Sequence, residues 1–268
     1  MRGYGKPIVN DRLGPVKTVV NPLQSLLLVA AGDDDGLDAG LAAGADSLVI
    51  DPRGPGSDRD RRRAAADALA RIGGAIPTFV RVGLLDSDAA EADLSALAPL
   101  APTGVLLPRT EESADLEHLG ALLAVAEAKA GLEDGATRII ALVETGAALF
   151  GLIGFARASR RLAAIAWDGE ALAHDLGGEA PREPDGRWTD PCQTARTLVL
   201  AAAADARLPA IDSPFSGASV EAFRREAETA RRDGFAGKLA LDARQAAIVA
   251  QVFSRRRGSG AGWPAGAS

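Results

Sequence analysis

Short apolar runs recur along this chain, several of them closed by a charged residue, and most are followed by a longer stretch of helical periodicity. Residues 139–146, Ile-Ile-Ala-Leu-Val-Glu-Thr-Gly, show the pattern most plainly. Five apolar residues run into the carboxylate Glu144. A run that is apolar on both faces suits a strand covered on both sides, as in a parallel sheet clothed by helices. Comparable runs predict strands at 25–30, 47–50, 78–82, 104–107, 162–167 and 209–211, and an eighth within 235–241. Helical stretches are expected from 33–35 to 43, and over 58–72, 88–97, 112–130, 191–206, 220–233 and 243–253. Residues 177–190, rich in glycine, proline and charge, read as a loop.

Eight strand–helix units in one chain predict an α/β fold, a (β/α)8 TIM barrel over residues 24–254. An N-terminal arm over 1–23, with a short strand at 16–20, and a flexible glycine-rich tail over 255–268 are expected on either side. A doubly wound open sheet has less support, because the segment after the first strand, Gly32-Asp33-Asp34-Asp35-Gly36, is not a G-x-G-x-x-G loop. Those three aspartates suit helix capping better than metal binding, since consecutive residues at a helix start diverge in direction.

Composition narrows the chemistry. The 268 residues are 47% hydrophobic and only 4% aromatic, so alanine, leucine and valine must fill the core. A net charge of −6 with dispersed arginines argues against a dedicated nucleic-acid binder. The run Arg59–Arg63 contains Asp60 and reads as a solvated helix start. One cysteine, Cys192, excludes an intrachain disulfide and a cysteine-cluster metal site. Two histidines, His118 and His174, give a zinc site little support, and no G-x-S-x-G motif is present. Without an apolar run of spanning length or a secretory pattern, a cytoplasmic protein with no membrane partner is expected.

In a barrel, the carboxyl ends of the strands share one mouth. This chain is expected to deliver Asp51, Arg81, Arg109, Glu144, Asp168, Asp212 and Asp242 there. Carboxylates beside guanidinium groups point to a divalent cation and an anionic substrate. The plainer reading is that they neutralise one another at the rim, or that Glu144 merely opens the next helix.

Several fragments in order carry a family resemblance: Ser25-Leu26-Leu27-Leu28-Val29-Ala30, Gly44-Ala45-Asp46-Ser47-Leu48-Val49-Ile50-Asp51, Val80-Arg81-Val82, Gly104-Val105-Leu106-Leu107-Pro108-Arg109, Leu142-Val143-Glu144-Thr145, Arg161-Leu162, Asp175-Leu176-Gly177-Gly178 and Gly234-Phe235-Ala236-Gly237-Lys238. Over residues 25–253 the chain resembles the citrate lyase beta subunit-like proteins of the HpcH/HpaI aldolase and citrate lyase superfamily. The resemblance implies a TIM barrel, often a homotrimer. It implies Mg²⁺-assisted making or breaking of a carbon–carbon bond in a small oxo acid or its acyl-CoA thioester. By the resemblance Arg81 holds the substrate carboxylate and Glu144 is the first metal ligand. From their places at the mouth, Arg81 and Asp51 are the catalytic candidates and Arg81, Arg53 and Arg109 the substrate-binding ones.

The departures are at chemical positions. The family's first-strand arginine is Gln24, its acidic pair after the second strand is Arg53-Gly54, and its lysine after the fourth strand is Arg109. Its His-Pro near the end is Asp242-Ala243. The second metal ligand falls on Ala171, leaving Asp168 or Glu170 to substitute. Three expectations follow: a diverged lyase, a barrel without lyase activity that serves as a binding or accessory protein, or a different reaction run without metal by Arg53 and Arg81.

Overall fold

The computed structural model describes residues 23–254. The expected arm, apart from Leu23, its strand at 16–20 and the tail at 255–268 lie outside the described residues. Eight strands form one closed parallel barrel in sequential order: β1 (Ser25–Ala30), β2 (Ser47–Asp51), β3 (Thr78–Arg81), β4 (Gly104–Leu107), β5 (Arg138–Val143), β6 (Leu162–Trp167), β7 (Ala210–Asp212) and β8 (Gly237–Ala240). The ring closes where Ser25, Leu26 and Leu27 pair with Lys238, Leu239 and Ala240. Around it lie α1 (Asp34–Ala42), α2 (Asp58–Ile72), α3 (Ala89–Leu97), α4 (Ser113–Ala130), α5 (Gly146–Ala158), α6 (Gly169–Asp175), α7 (Asp190–Ala206), α8 (Val220–Asp233) and α9 (Ala243–Ser254).

The alternation of strand side chains sorts the core into two layers. Leu26, Val49, Phe79, Leu106, Ile140, Leu142, Ala164, Ala166, Ile211 and Leu239 fill the barrel interior. Their neighbours in sequence, such as Leu27, Leu48, Val80, Val105, Ile139 and Ile165, pack outward under the helices. Where backbones approach most closely, glycine is required. A Cβ on Gly237 would strike the carbonyls of Leu23 and Gln24 at the closing seam, and one on Gly151 of α5 would overlap the Glu111 carbonyl.

Charge is also built into the outer layer. Asp212 points away from the interior, since Ile211 points into it. It accepts hydrogen bonds from Lys238 Nζ at 2.9 Å and Trp167 Nε1 at 2.9 Å, and pairs with Arg196 of α7 at 3.4 Å. Lys238 also donates to Glu226 of α8 at 2.7 Å. The expectation that Asp212 joins the mouth is therefore corrected: one residue of register sends it behind the sheet. Asp242 caps α9 by accepting from the Gln245 N–H at 2.8 Å.

Two helices were not legible as periodic segments. α5, Gly-Ala-Ala-Leu-Phe-Gly-Leu-Ile-Gly-Phe-Ala-Arg-Ala, is apolar nearly all round. α6 is a short helix opened by Asp168. β8 lies within residues 235–241, as expected, and starts only at Gly237 while the Phe235 N–H still bonds the Ala230 carbonyl at the end of α8. Over the β6 end, Trp188 packs on Trp167 with ring centroids 4.9 Å apart, and the Arg182 guanidinium lies 3.9 Å above the Trp188 ring.

Candidate functional site

Period two explains what reaches the mouth. Counting upward from the interior residues Val49, Phe79, Leu142 and Ala166, the next inward positions are Asp51, Arg81, Glu144 and Asp168. Four strands thus deliver three carboxylates and a guanidinium to one end of the barrel.

Arg81 donates from Nη2 to Glu144 Oε1 at 2.9 Å, with both side chains more than nine-tenths buried. The other oxygen, Oε2, accepts the backbone N–H of Arg109 at 2.9 Å. Arg109 adopts φ +47°, a left-handed conformation that turns this N–H toward β5. Its guanidinium meets Glu111 at the rim, 3.2 Å away. Arg109 therefore brings its backbone, rather than its charge, to Glu144. A proline–arginine turn gives no sequence signal for that.

Asp51 holds Arg53. The guanidinium donates from Nε and Nη2 to the Asp51 carboxylate at 2.9 and 2.6 Å, and the Arg53 backbone N–H adds a bond at 2.9 Å. The Asp51 bond pushes the Arg53 guanidinium above its ordinary value, and the charges of Asp51, Glu144 and Asp168 act in the same sense. The Arg53 side chain remains 64% exposed, so solutes reach it. A cavity of about 320 Å³ opens beside the mouth, with Arg53 and Arg81 both in its wall along with Pro52, Gly54 and Gly83.

Asp168 caps α6, its Oδ1 accepting the N–H groups of Glu170 and Ala171 at 3.0 and 3.1 Å. Burial pushes its carboxyl up, and the charges of Glu144 and Glu170 add to that push against the two N–H bonds. Glu170 is turned to other partners: Ser216 Oγ at 2.8 Å and Arg182 at 3.1 Å.

A scan against protein-family models matches residues 24–243 to HpcH/HpaI aldolase/citrate lyase. The chain belongs to this family. It is 30% identical over 222 residues to the citrate lyase subunit beta of Leuconostoc mesenteroides subsp. cremoris, covering 81% of this chain and 72% of that one. It is 32% identical over 180 residues to the Escherichia coli (strain K12) citrate lyase subunit beta, spanning 67% of this chain but 58% of that subunit. Among solved structures, the citrate lyase beta subunit from M. tuberculosis complexed with oxaloacetate and magnesium matches with TM-score 0.72 and 25% identity, covering 87% of this chain and 97% of that one.

The family barrel is thus present, but most of the carboxylate oxygens at its mouth are already engaged by the protein's own groups. Glu144 is engaged on both oxygens, Asp168 Oδ1 caps a helix, and Glu170 is bound to Ser216 and Arg182. Ala171 has no oxygen in its side chain. Among the described residues no three His, Cys, Asp or Glu side chains are grouped to hold a metal ion. Arg53 stands where its positive charge meets those of Asp51, Glu144 and Asp168, which disfavours a second cation there.

Proposed function

We propose that this chain is a carbon–carbon lyase of the citrate lyase beta type, acting on a small oxo acid or its acyl-CoA ester. The observation that carries the reading is the buried Arg81–Glu144 pair at the mouth of a citrate lyase-family barrel. Arg81 presents a planar fork to a substrate carboxylate, and one N–H suffices for Glu144. Arg53, on the accessible side, adds a second positive group. Positive and hydrogen-bonding groups fixed in place before reaction are what a developing enolate requires.

The test is product analysis. Purified protein incubated with oxo acids and acyl-CoA thioesters should give carbon–carbon cleavage or condensation products, and Glu144→Gln should abolish them while leaving the fold intact. The replaced metal-ligand position at Ala171 favours a second reading, a barrel that binds such molecules without cleaving them. Saturable binding with no turnover would select it.

The chain is also proposed to self-associate, as its family resemblance implies. Phe150 and Ile153 on α5 are each 89% exposed, and paired large apolar groups on one helix face favour burial against a second copy.

A further inference from the structure

We infer that Arg53, clamped by Asp51, takes the electrostatic place of a divalent cation in this barrel, so that the mouth binds a 2-oxo carboxylate between two guanidinium groups, Arg53 and Arg81, without metal. The inference rests on the oxo-acid reading above and adds to it how the acid is held.

Geometry carries it. A divalent cation in a barrel mouth gathers carboxylates that would otherwise repel one another. Here the chain supplies its own balance: Arg81 for Glu144, and Arg53 for Asp51. The Asp51 clamp uses Nε and Nη2 of Arg53. With the guanidinium fixed along that edge, Nη1 is left for a ligand. Glu144 takes one Arg81 nitrogen, Nη2. Both arginines wall the same cavity of about 320 Å³, which is roomy for a three- or four-carbon oxo acid. Nearby arginines are committed elsewhere: Arg62 to Asp93 at 2.9 Å, and Arg61 to Asp58 and the Gly56 carbonyl. Arg53 combines a fixed orientation with 64% exposure, the combination that lets a guanidinium both point and be reached. Its charged form is favoured first by the Asp51 hydrogen bond and also by the charges of Asp51, Glu144 and Asp168.

The role of Arg53 is tested by calorimetry with pyruvate and oxaloacetate, on the full chain, in EDTA and in millimolar Mg²⁺. Equal affinity in the two buffers is expected. Arg53→Gln should weaken binding about tenfold or more in EDTA, the scale of a lost charge-assisted hydrogen bond. Arg53→Lys should recover part of that loss, because it restores charge but not the fork. Arg53→Glu should lose binding in EDTA and regain it with Mg²⁺. Thermal melts should show Arg53→Lys near the parent, Arg53→Gln somewhat lower, and Arg53→Glu, which sets a carboxylate beside buried Asp51, lowest in EDTA with recovery in Mg²⁺. Binding by the parent that requires Mg²⁺ would overturn the inference and leave the lyase reading standing. Absence of binding in both buffers would remove both together.

Discussion

At the scale of single residues, burial decides what each charge is for. Glu144 and Arg81 are buried against each other, so removing one strands the other. Glu144→Ala is expected to destabilise the protein by about 3–5 kcal/mol, the usual cost of an uncompensated buried charge. Denaturant unfolding would read this directly, and Glu144→Gln should cost distinctly less because it keeps acceptor and shape. Asp168 behaves oppositely. Its carboxyl is held above the ordinary value, mainly by burial, so the folded state binds that proton more tightly than the unfolded one. Such a group stabilises most below its unfolded pKa, and the contribution is lost as pH rises through the folded pKa. Asp168→Asn keeps an oxygen to cap α6 and removes the charge. Its stability relative to the parent should therefore improve as pH rises from the acid range to neutrality, measured as midpoints across a pH series. A flat difference would contradict the assignment.

At the scale of elements, close packing sets the limits. Gly151 lets α5 approach the loop before α4, and any Cβ there overlaps the Glu111 carbonyl. Gly151→Ala should cost about 1–3 kcal/mol through overpacking, whereas the same change at Gly131, with nothing near its Cβ, should act only through its left-handed φ of +71°. A second clamp lies at the foot of the barrel. Arg161 donates to both oxygens of Glu127 at 2.7 and 2.8 Å, and Glu127 also accepts the N–H groups of Thr137 and Gly135. This set joins α4 to the starts of β5 and β6. Although burial opposes it, the partners hold the Glu127 carboxyl below its ordinary value. Its contribution is thus present above the unfolded pKa and lost as pH falls through the depressed folded one. Glu127→Gln should weaken the acid-side fall in stability.

The same elements show how much the chain reveals beforehand. Strand runs bounded by polar residues, such as residues 162–167, are legible because both faces are apolar and the ends are marked. α5 was not, since glycines at 146, 151 and 154 and apolar residues on every side erase its period. Strand-end residues were legible as candidates, but which of them face inward depends on register. Asp51, Arg81, Glu144 and Asp168 fall on the interior phase, while Asp212 falls on the other because β7 contributes Ile211 inward. Hydrogen-bond partners were not legible at all: nothing in Pro108-Arg109 announces a backbone N–H aimed at Glu144.

At the scale of the whole molecule, closure and association matter. No helix among the described residues is long and apolar enough to cross a membrane. The exposed apolar pair on α5 suits burial against another surface, and a second copy is the proposed partner. Replacing Phe150 and Ile153 together by serine should shift the sedimentation coefficient toward that of a monomer with little loss of fold. An unchanged coefficient would place self-association elsewhere.

The tilted, contacting indoles of Trp167 and Trp188, with the cation of Arg182 over the latter, carry one more implication. Chromophores this close couple optically, and one of the two is anchored in the sheet while the other belongs to the segment draped across its end. The near-ultraviolet dichroism of the protein should thus contain a built-in gauge of whether that drape is seated, fading before far-ultraviolet ellipticity when the cover lifts and returning when it settles.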